Sequence, residues 1–464
     1  MANSDPTSEQ RERERVLALL RRHGSQATSF QVLEPGYQYF FHGEEGCVAY
    51  TDTGRAWVAV GAPVAPEHLE REVALGFIGA AQIARRHARF FAVNEGFAER
   101  TGLHATHIGE QPLWDPADWQ DTLRASRSLR EQLRRARAKG VTARLVPAEE
   151  IADEQGRVRR GVDALIERWL GSRPMSEMKF MVHVHPFSFP KERRYVVAEQ
   201  DGHVVGFGAC VPVYARGGWF LEDLLRLPDA PNGTAEVLVD TVMRQLDEEG
   251  SRYATLGLAP LAGEVNTVLR LTRDYTAALY NFGGVRAFKA KLRPHTWEPL
   301  YLAWPRGRLG LLAMRDALAA FAPGGMIRFG LNTLVHERSL ATFLLGLFLV
   351  PWTFAVGTVG TEHWFPSAAV QQAWVAFDGV LIALLFALVQ RWRPWLAALL
   401  AGLTTLDAAL TLLQVASYNI ARISEPWEWG ILSLGVTGPL LATTFFWATR
   451  VVAVRSKLPV ARAG

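Results

Sequence analysis

Cysteine is almost absent: Cys47 and Cys210 are the only two in 464 residues. So few exclude a disulfide-built scaffold and suit a reducing compartment. No Gly-x-Ser-x-Gly turn occurs, which removes the nucleophile elbow of serine hydrolases. The Gly283-Gly284 pair fits neither a phosphate-binding P-loop nor a dinucleotide fingerprint. His183 and His185 form an HxH pair, but no acidic or cysteine cluster accompanies them, so a metal centre is not expected. The polar start, MANSDPTSEQRERERV, has no apolar core and nothing in it argues for export.

Long hydrophobic runs are plentiful, but only late in the chain. Leu340–Val359, Ala369–Val389, Trp395–Ala416 and Gly430–Val452 each approach the ~20 residues that cross a hydrocarbon core. Four spanning helices are predicted. Cations are missing from the loop carrying Glu362 and His363, and the last loop on that side has only Arg422. Arg328, Arg338, Arg391, Arg393, Arg450, Arg455 and Lys457 flank the opposite ends. The positive-inside rule then places both termini and everything before the spans in the cytoplasm, at a cell membrane. Asp378 and Asp407 fall inside spans two and three, where a charge is expensive. Either they make interhelical polar contacts or they mark a headgroup route.

The preceding 300 residues read as α/β. A charged helix over residues 8–24 leads to the strand-like runs TSFQVL, YQYFFHG, CVAYTDTG and AWVAVGAPV, then a helix at Pro66–Arg86 and the strand ARFFAVN. Thr122–Gly140 is a basic helix in which Arg124, Arg127, Arg130, Arg134, Arg135, Arg137 and Lys139 face one acid, Glu131. It is either a phosphate-tracking surface or a solvated face. Further on come a helix at Gly161–Leu170, a hairpin turning at Asp201-Gly202, the strand GGWFLEDLLRL and a helix at Thr234–Gly250. This order resembles an acetyltransferase-type (GNAT) core, and the expected architecture is two such domains in tandem. The divisions are 1–150, 151–305, a basic amphipathic linker at 306–338 and the spans at 339–455. That linker would hold the soluble part near anionic headgroups.

Charges inside the apolar strand GWFLEDLLRL are costly to bury unless paired or functional. Alternation puts Glu222 and Arg226 on one face and Asp223 on the other. A Glu222–Arg226 edge pair is one reading. A site in which a carboxylate holds an ammonium and Arg226 a phosphate is the other. In the closing segment Lys289 and Lys291, two apart, share a face if the segment is a strand; Arg286 and Arg293 flank them, with Trp297, Glu298 and Tyr301 beyond. Cations among aromatics suit a phosphate-bearing ligand with an aromatic or acyl part, or protect a strand edge.

Several segments carry a family resemblance: HIGEQPLWDP, LREQLRRARAKG, FGACVPVY, LEDLLRLPDAPNG, LGLAPLAG and YNFGGVRAFKAKLRPHTWEPLYLAW. Over about residues 30–305 the chain resembles the catalytic domain of the phosphatidylglycerol lysyltransferase (multiple peptide resistance factor) family. The resemblance implies transfer of an aminoacyl group from aminoacyl-tRNA to a phospholipid hydroxyl, with no metal or redox cofactor. By its motifs it implies site roles for Asp223 and Arg226, for Lys289 and Lys291, and for Trp297, Glu298 and Tyr301. On chemical grounds Asp223 or Glu222 would hold an ammonium or act as base. Arg226, Lys289 and Lys291 would hold phosphate, and Arg130, Arg134, Arg135, Arg137 and Lys139 would track the tRNA. The family's Gly-Asp-Pro is here Gly61-Ala62-Pro63, and its large membrane region precedes the catalytic domain, whereas these spans follow it. An acyl-CoA-dependent transferase and a non-catalytic tRNA- or lipid-binding protein are the alternative readings.

Overall fold

A computed structural model of the protein describes residues 6–172, 180, 181, 184–260, 282–307, 310–321 and 338–455. His183, Tyr280 and Arg328 lie outside them. The chain divides into two units, Met1–Phe329 and Gly330–Gly464.

Among the described residues, the first unit is built on one twelve-stranded sheet. Its strands are β1 (Gln38–His42), β2 (Gly46–Asp52), β3 (Ala56–Val60), β4 (His87–Val93), β5 (His104–Trp114), β6 (Thr142–Val146), β7 (Arg194–Gln200), β8 (His203–Val213), β9 (Gly218–Arg226), β10 (Ala254–Thr255), β11 (Ala259–Pro260) and β12 (Thr296–Trp304). The spatial order is β1-β2-β3-β4-β12-β5-β10-β9-β8-β7-β6, with β11 on β5. Each half is an antiparallel meander ending in one parallel pair, β3–β4 and β9–β10. The expected hairpin is present, because Asp201 and Gly202 both take left-handed angles, φ 51° and 77°, that a tight two-residue turn requires.

The division expected at residue 150 does not match the packing. β12, from the end of the unit, lies between β4 and β5, pairing along its whole length with β5. The helix Arg127–Ala138 buries Leu129, Leu133 and Ala136 in the same core as Val196, Phe207 and Leu238. The halves thus exchange material, which hydrophobic patterning along the chain cannot reveal. The expected basic helix is also two helices, Trp119–Ala125 and Arg127–Ala138, because the Ser126 side chain caps the second. Gly233 sits so close to it that a Cβ would lie 2.7 Å from the Gln132 carbonyl oxygen. The run TSFQVL is not a strand: Ala27–Leu33 is a 3-10 helix with every residue buried. Tertiary burial overrides the β-preference of Phe30 and Val32.

Only part of the expected linker is described. Its helix Gly310–Phe321 packs Ala313, Ala317 and Ala320 against the sheet rather than forming a free basic stretch. Arg89 on β4 and Asp316 on this helix form an ion pair at 2.9 Å, each side chain 1% exposed.

The second unit contains four described helices long and apolar enough to span a membrane, within Arg338–Thr358, Ala368–Gln390, Pro394–Arg422 and Glu428–Arg455. Leu381, Leu385, Leu388, Leu400 and Phe446 form its core. His363 pairs with Glu428 at 2.8 Å, so the loops after spans one and three meet at one end of the bundle.

Removing one member of a buried pair leaves an uncompensated charge, typically at ~3–5 kcal/mol. Asp316→Ala should therefore lower the denaturation midpoint of the first unit markedly. A midpoint within error of wild type would mean that the pair contributes nothing.

Candidate functional site

β9 and β10 pair only at Trp219–Ala254 and Phe220–Thr255. β9 then runs on from Leu221 to Arg226 with β8 as its partner. β10 ends at this point, whereas β9 continues. A register shift between Ala209 and Cys210 makes Glu222 the extra residue of a β-bulge. Bulges re-aim side chains, and this one turns Glu222 toward Arg193 rather than Arg226.

Arg193 stands just before β7, with its side chain fully buried. Its guanidinium donates to Glu222 Oε2 at 2.6 Å, to Glu34 Oε1 at 2.5 Å and to the Ser188 carbonyl at 2.8 Å. Asp223, 6% exposed, lies beside them and feels the charges of Glu222, Arg193 and Glu34. Two carboxylates thus hold one guanidinium, and a third is buried next to Glu222. Burial and the neighbouring Glu222 charge push the Asp223 pKa well above the usual carboxylate range, against the pull of Arg193. Burial also raises Glu34, to about 7, with Arg193 opposing. Burial disfavours the Arg193 charge, but Glu222, Glu34 and Asp223 outweigh it and hold the arginine ionised.

The Glu222–Arg226 edge pair, one of the two readings of this strand, is not what forms: Glu222 pairs with Arg193. Arg226 is half-buried and donates to the Leu227 carbonyl at 3.3 Å. Sequence reasoning found Glu222 and Asp223 but missed Arg193 and Glu34. The only signals were the doubled Arg193-Arg194 opening a β-run and an acid directly after the apolar SFQVL.

Lys289 and Lys291 do not share a strand face. They lie at the end of the helix Phe282–Lys291, where residues two apart diverge by ~200°. Lys289 is buried, and its Nζ donates to the carbonyls of Leu256, Gly257 and Leu258 at 2.8–2.9 Å. Burial lowers its pKa to about 7. It clamps the turn after β10, the wall facing β9, where a Cβ on Gly257 (φ 71°) would stand 2.6 Å from the Phe220 ring. Lys291 instead pairs with Glu236 at 2.5 Å.

The other members of the closing segment are dispersed. Arg286 pairs with Glu110 at 2.7 Å and lies over the Trp297 ring. Glu298 accepts from Gln111 at 2.6 Å and Arg216 at 3.0 Å, beside a water-sized hole of about 10 Å3. Tyr301 packs on His107, and Arg293 is exposed. On the basic helix Arg134 and Arg135 both bind Glu131, and Arg130 donates to the Leu123 carbonyl. Arg137 pairs with the fully buried Asp240. Lys139 is exposed at the helix end. His185 is exposed.

The family model described as phosphatidylglycerol lysyltransferase, C-terminal, matches residues 17–304. A phosphatidylglycerol lysyltransferase of Bacillus subtilis is 29% identical over 151 residues, 31% of this chain and 17% of that protein. The lysylphosphatidylglycerol biosynthesis bifunctional protein LysX of Mycobacterium marinum is 24% identical over 266 residues, 53% of this chain and 23% of that one. The chain spans about a fifth of the length of these relatives. Among solved structures, the C-terminal domain of a putative lysylphosphatidylglycerol synthetase from Agrobacterium fabrum superposes with TM-score 0.59 at 25% identity, covering 68% of this chain and 98% of that one. L-PGS from Bacillus licheniformis gives 0.56 at 21% identity, covering 68% and 97%, and shares the fold.

A raised carboxylate pKa ties stability to pH. Folded Glu34 holds its proton up to about pH 7, whereas an unfolded glutamate releases it near 4.5. Its contribution is full below 4.5 and is lost as pH rises through 7. The melting temperature should fall between pH 5 and 7.5, and Glu34→Gln, which mimics the protonated acid, should flatten that fall. An unchanged slope in the variant would refute the assignment.

Proposed function

Because the chain belongs to the phosphatidylglycerol lysyltransferase C-terminal family, we propose that it transfers an aminoacyl group, lysyl foremost, from aminoacyl-tRNA to a membrane phospholipid such as phosphatidylglycerol. The geometric observation that carries the reading is the cluster of buried carboxylates at β9, where Glu34 and Glu222 hold Arg193 between them and Asp223 is buried next to Glu222. A buried cluster with more carboxylates than cations attracts an ammonium group, which every aminoacyl donor carries.

The reaction is an ester exchange. The lipid hydroxyl oxygen bonds to the aminoacyl carbonyl carbon, the bond from that carbon to the ribose oxygen breaks, and the hydroxyl proton ends on the ribose. The donor ester is already activated, so the reading invokes no cofactor. Asp223, its pKa raised well above the usual carboxylate range by burial and by Glu222, suits the proton relay or the donor's α-ammonium. Arg226, half-buried on the same strand, is the candidate for lipid phosphate or the tRNA terminus. Lys289 is better suited to shaping the cleft than to binding phosphate, since its three N–H groups have carbonyl acceptors. Of the basic helix, Lys139 and the outward Arg134 and Arg135 are the best placed for tRNA phosphates, with Arg137 serving the fold. Adding an aminoacyl ammonium to an anionic headgroup would make the membrane surface more positive.

The cations at Arg391 and Arg393, opposite the joined His363 and Glu428 loops, support a cytoplasmic position for both termini at the cell membrane.

Lipid mass spectrometry of cells with and without the full chain tests the reading. A new aminoacylated lipid is expected, and Asp223→Asn should reduce it by roughly 10²–10⁴-fold, the usual scale for losing a proton-transfer group. An unchanged lipidome with well-expressed, membrane-inserted protein would overturn it.

A further inference from the structure

A partly open cavity of about 390 Å3 lies between the four spans of the membrane unit, and Asp378 and Asp407 are in its wall. Asp378 lies 12 residues before the end of Ala368–Gln390, and Asp407 lies 13 after the start of Pro394–Gln414. At 1.5 Å per residue both are about 18–20 Å from the shared turn at Arg391–Arg393, so the two carboxylates stand at one depth.

Both residues are more than nine-tenths buried, at 5% and 7% exposed. Their hydrogen bonding is thin. The Thr353 hydroxyl reaches Asp378 Oδ2 at 3.2 Å, but the Leu349 carbonyl is nearer, at 2.7 Å, and a hydroxyl has one proton to give. Thr411 donates to Asp407 Oδ1 at 3.3 Å. Among the described residues no Lys, Arg or His lines the cavity, and neither aspartate has a cationic partner. Unpaired carboxylates at membrane depth are expensive and persist where they serve a ligand or pathway.

The cavity's size and walls narrow the ligand. It is far larger than a bare ion and lies within the ~300–1,000 Å3 of small-molecule sites. Leu381 and Leu385 line it beside the aspartates, and Trp352, Trp364 and Trp374 add aromatic faces suited to a cation and to hydrocarbon. A π-helical turn at Val415–Asn419 contributes both its end residues to the wall, and such turns often mark functional positions.

We propose that this cavity binds a membrane amphiphile whose head carries a primary ammonium, with the ammonium between Asp378 and Asp407 and the apolar portion along the leucine and tryptophan wall. The inference does not depend on the proposed transfer reaction, although an aminoacyl-ester lipid is one member of this ligand class.

The test uses the full chain in phosphatidylcholine nanodiscs at pH 7.5, with tryptophan fluorescence reporting on the cavity wall. Dodecylamine is the cationic probe and dodecanol the neutral one. Dodecylamine should bind the wild type with an affinity that falls roughly tenfold or more in Asp378→Asn/Asp407→Asn, as expected for losing a desolvated charge partner. Dodecanol should bind both proteins alike and weakly. Equal dodecylamine affinity in the two proteins overturns the proposal, as does dodecanol competing equally in the wild type. Displacement of dodecylamine by millimolar magnesium also overturns it, in favour of a metal-ion site. If the double variant does not fold, the wild-type competition and the single variant Asp378→Asn decide by the same criteria. No tRNA enters the assay, so its failure leaves the transfer reading untouched.

Discussion

The fully buried Arg193 guanidinium is the constraint on which the first unit depends. It joins Glu34, from the beginning of the chain, to Glu222, in the middle of β9. Desolvating an arginine is expensive, and two carboxylates with the Ser188 carbonyl repay that cost only in a fixed geometry. A lysine has no planar fork with which to hold both carboxylates in this way. The same contacts leave Asp223 beside a partner already shared by two other acids. The stability of the fold and the unusual electrostatics of the cleft therefore have one source.

The exchange of strands between the halves explains why the cleft lies where it does. β12 closes on β5, and β5 in turn pairs with β10, so the sheet is continuous through its middle. β10 is held at its start by β5 and β9, and the turn after it is fixed by Lys289. β9 follows β8 instead. The two strands are thus held by different partners, β9 by Glu34 through Arg193 and the turn after β10 by Lys289. Family membership is consistent with this architecture, and the bulge at Glu222 is what brings that carboxylate to Arg193.

Much of this was legible in the sequence. The spans follow from sustained apolar length, and the hairpin from Asp201-Gly202. The charges inside GWFLEDLLRL announce that buried acids need a partner there. What failed to show was always tertiary. VRAFKAK has lysines two apart, a spacing that fits a strand face; only the buried carbonyls of Leu256 to Leu258 explain why Lys289 turns inward from a helix. Glu34 and Arg193 are 159 residues apart, and neither has a local pattern that announces the other. The surplus of arginine on Arg127–Ala138 reads as a nucleic-acid surface, yet Arg137 answers to Asp240, a charge hidden in another helix. Sequence spacing reports the face a residue occupies; it does not report the partner waiting there.

The two units share one chemical theme. In the first, two carboxylates share a single arginine and a third is buried beside them. In the second, Asp378 and Asp407 face a cavity whose described lining holds no cation. Burying acids without matching bases costs free energy in either solvent, and the cost inside a membrane is the greater because water is not available to relieve it. Interhelical bonding alone is a weak reason to accept it, since the contact from Thr353 to Asp378 competes with a nearer carbonyl. An ammonium-bearing ligand removes the difficulty in both places. An aminoacyl donor would satisfy the cleft, and a cationic amphiphile would satisfy the bundle. If the reaction of the first unit yields a lipid with an ammonium head, the second unit has the charge and the apolar volume to receive it, which gives the spans a role beyond anchorage.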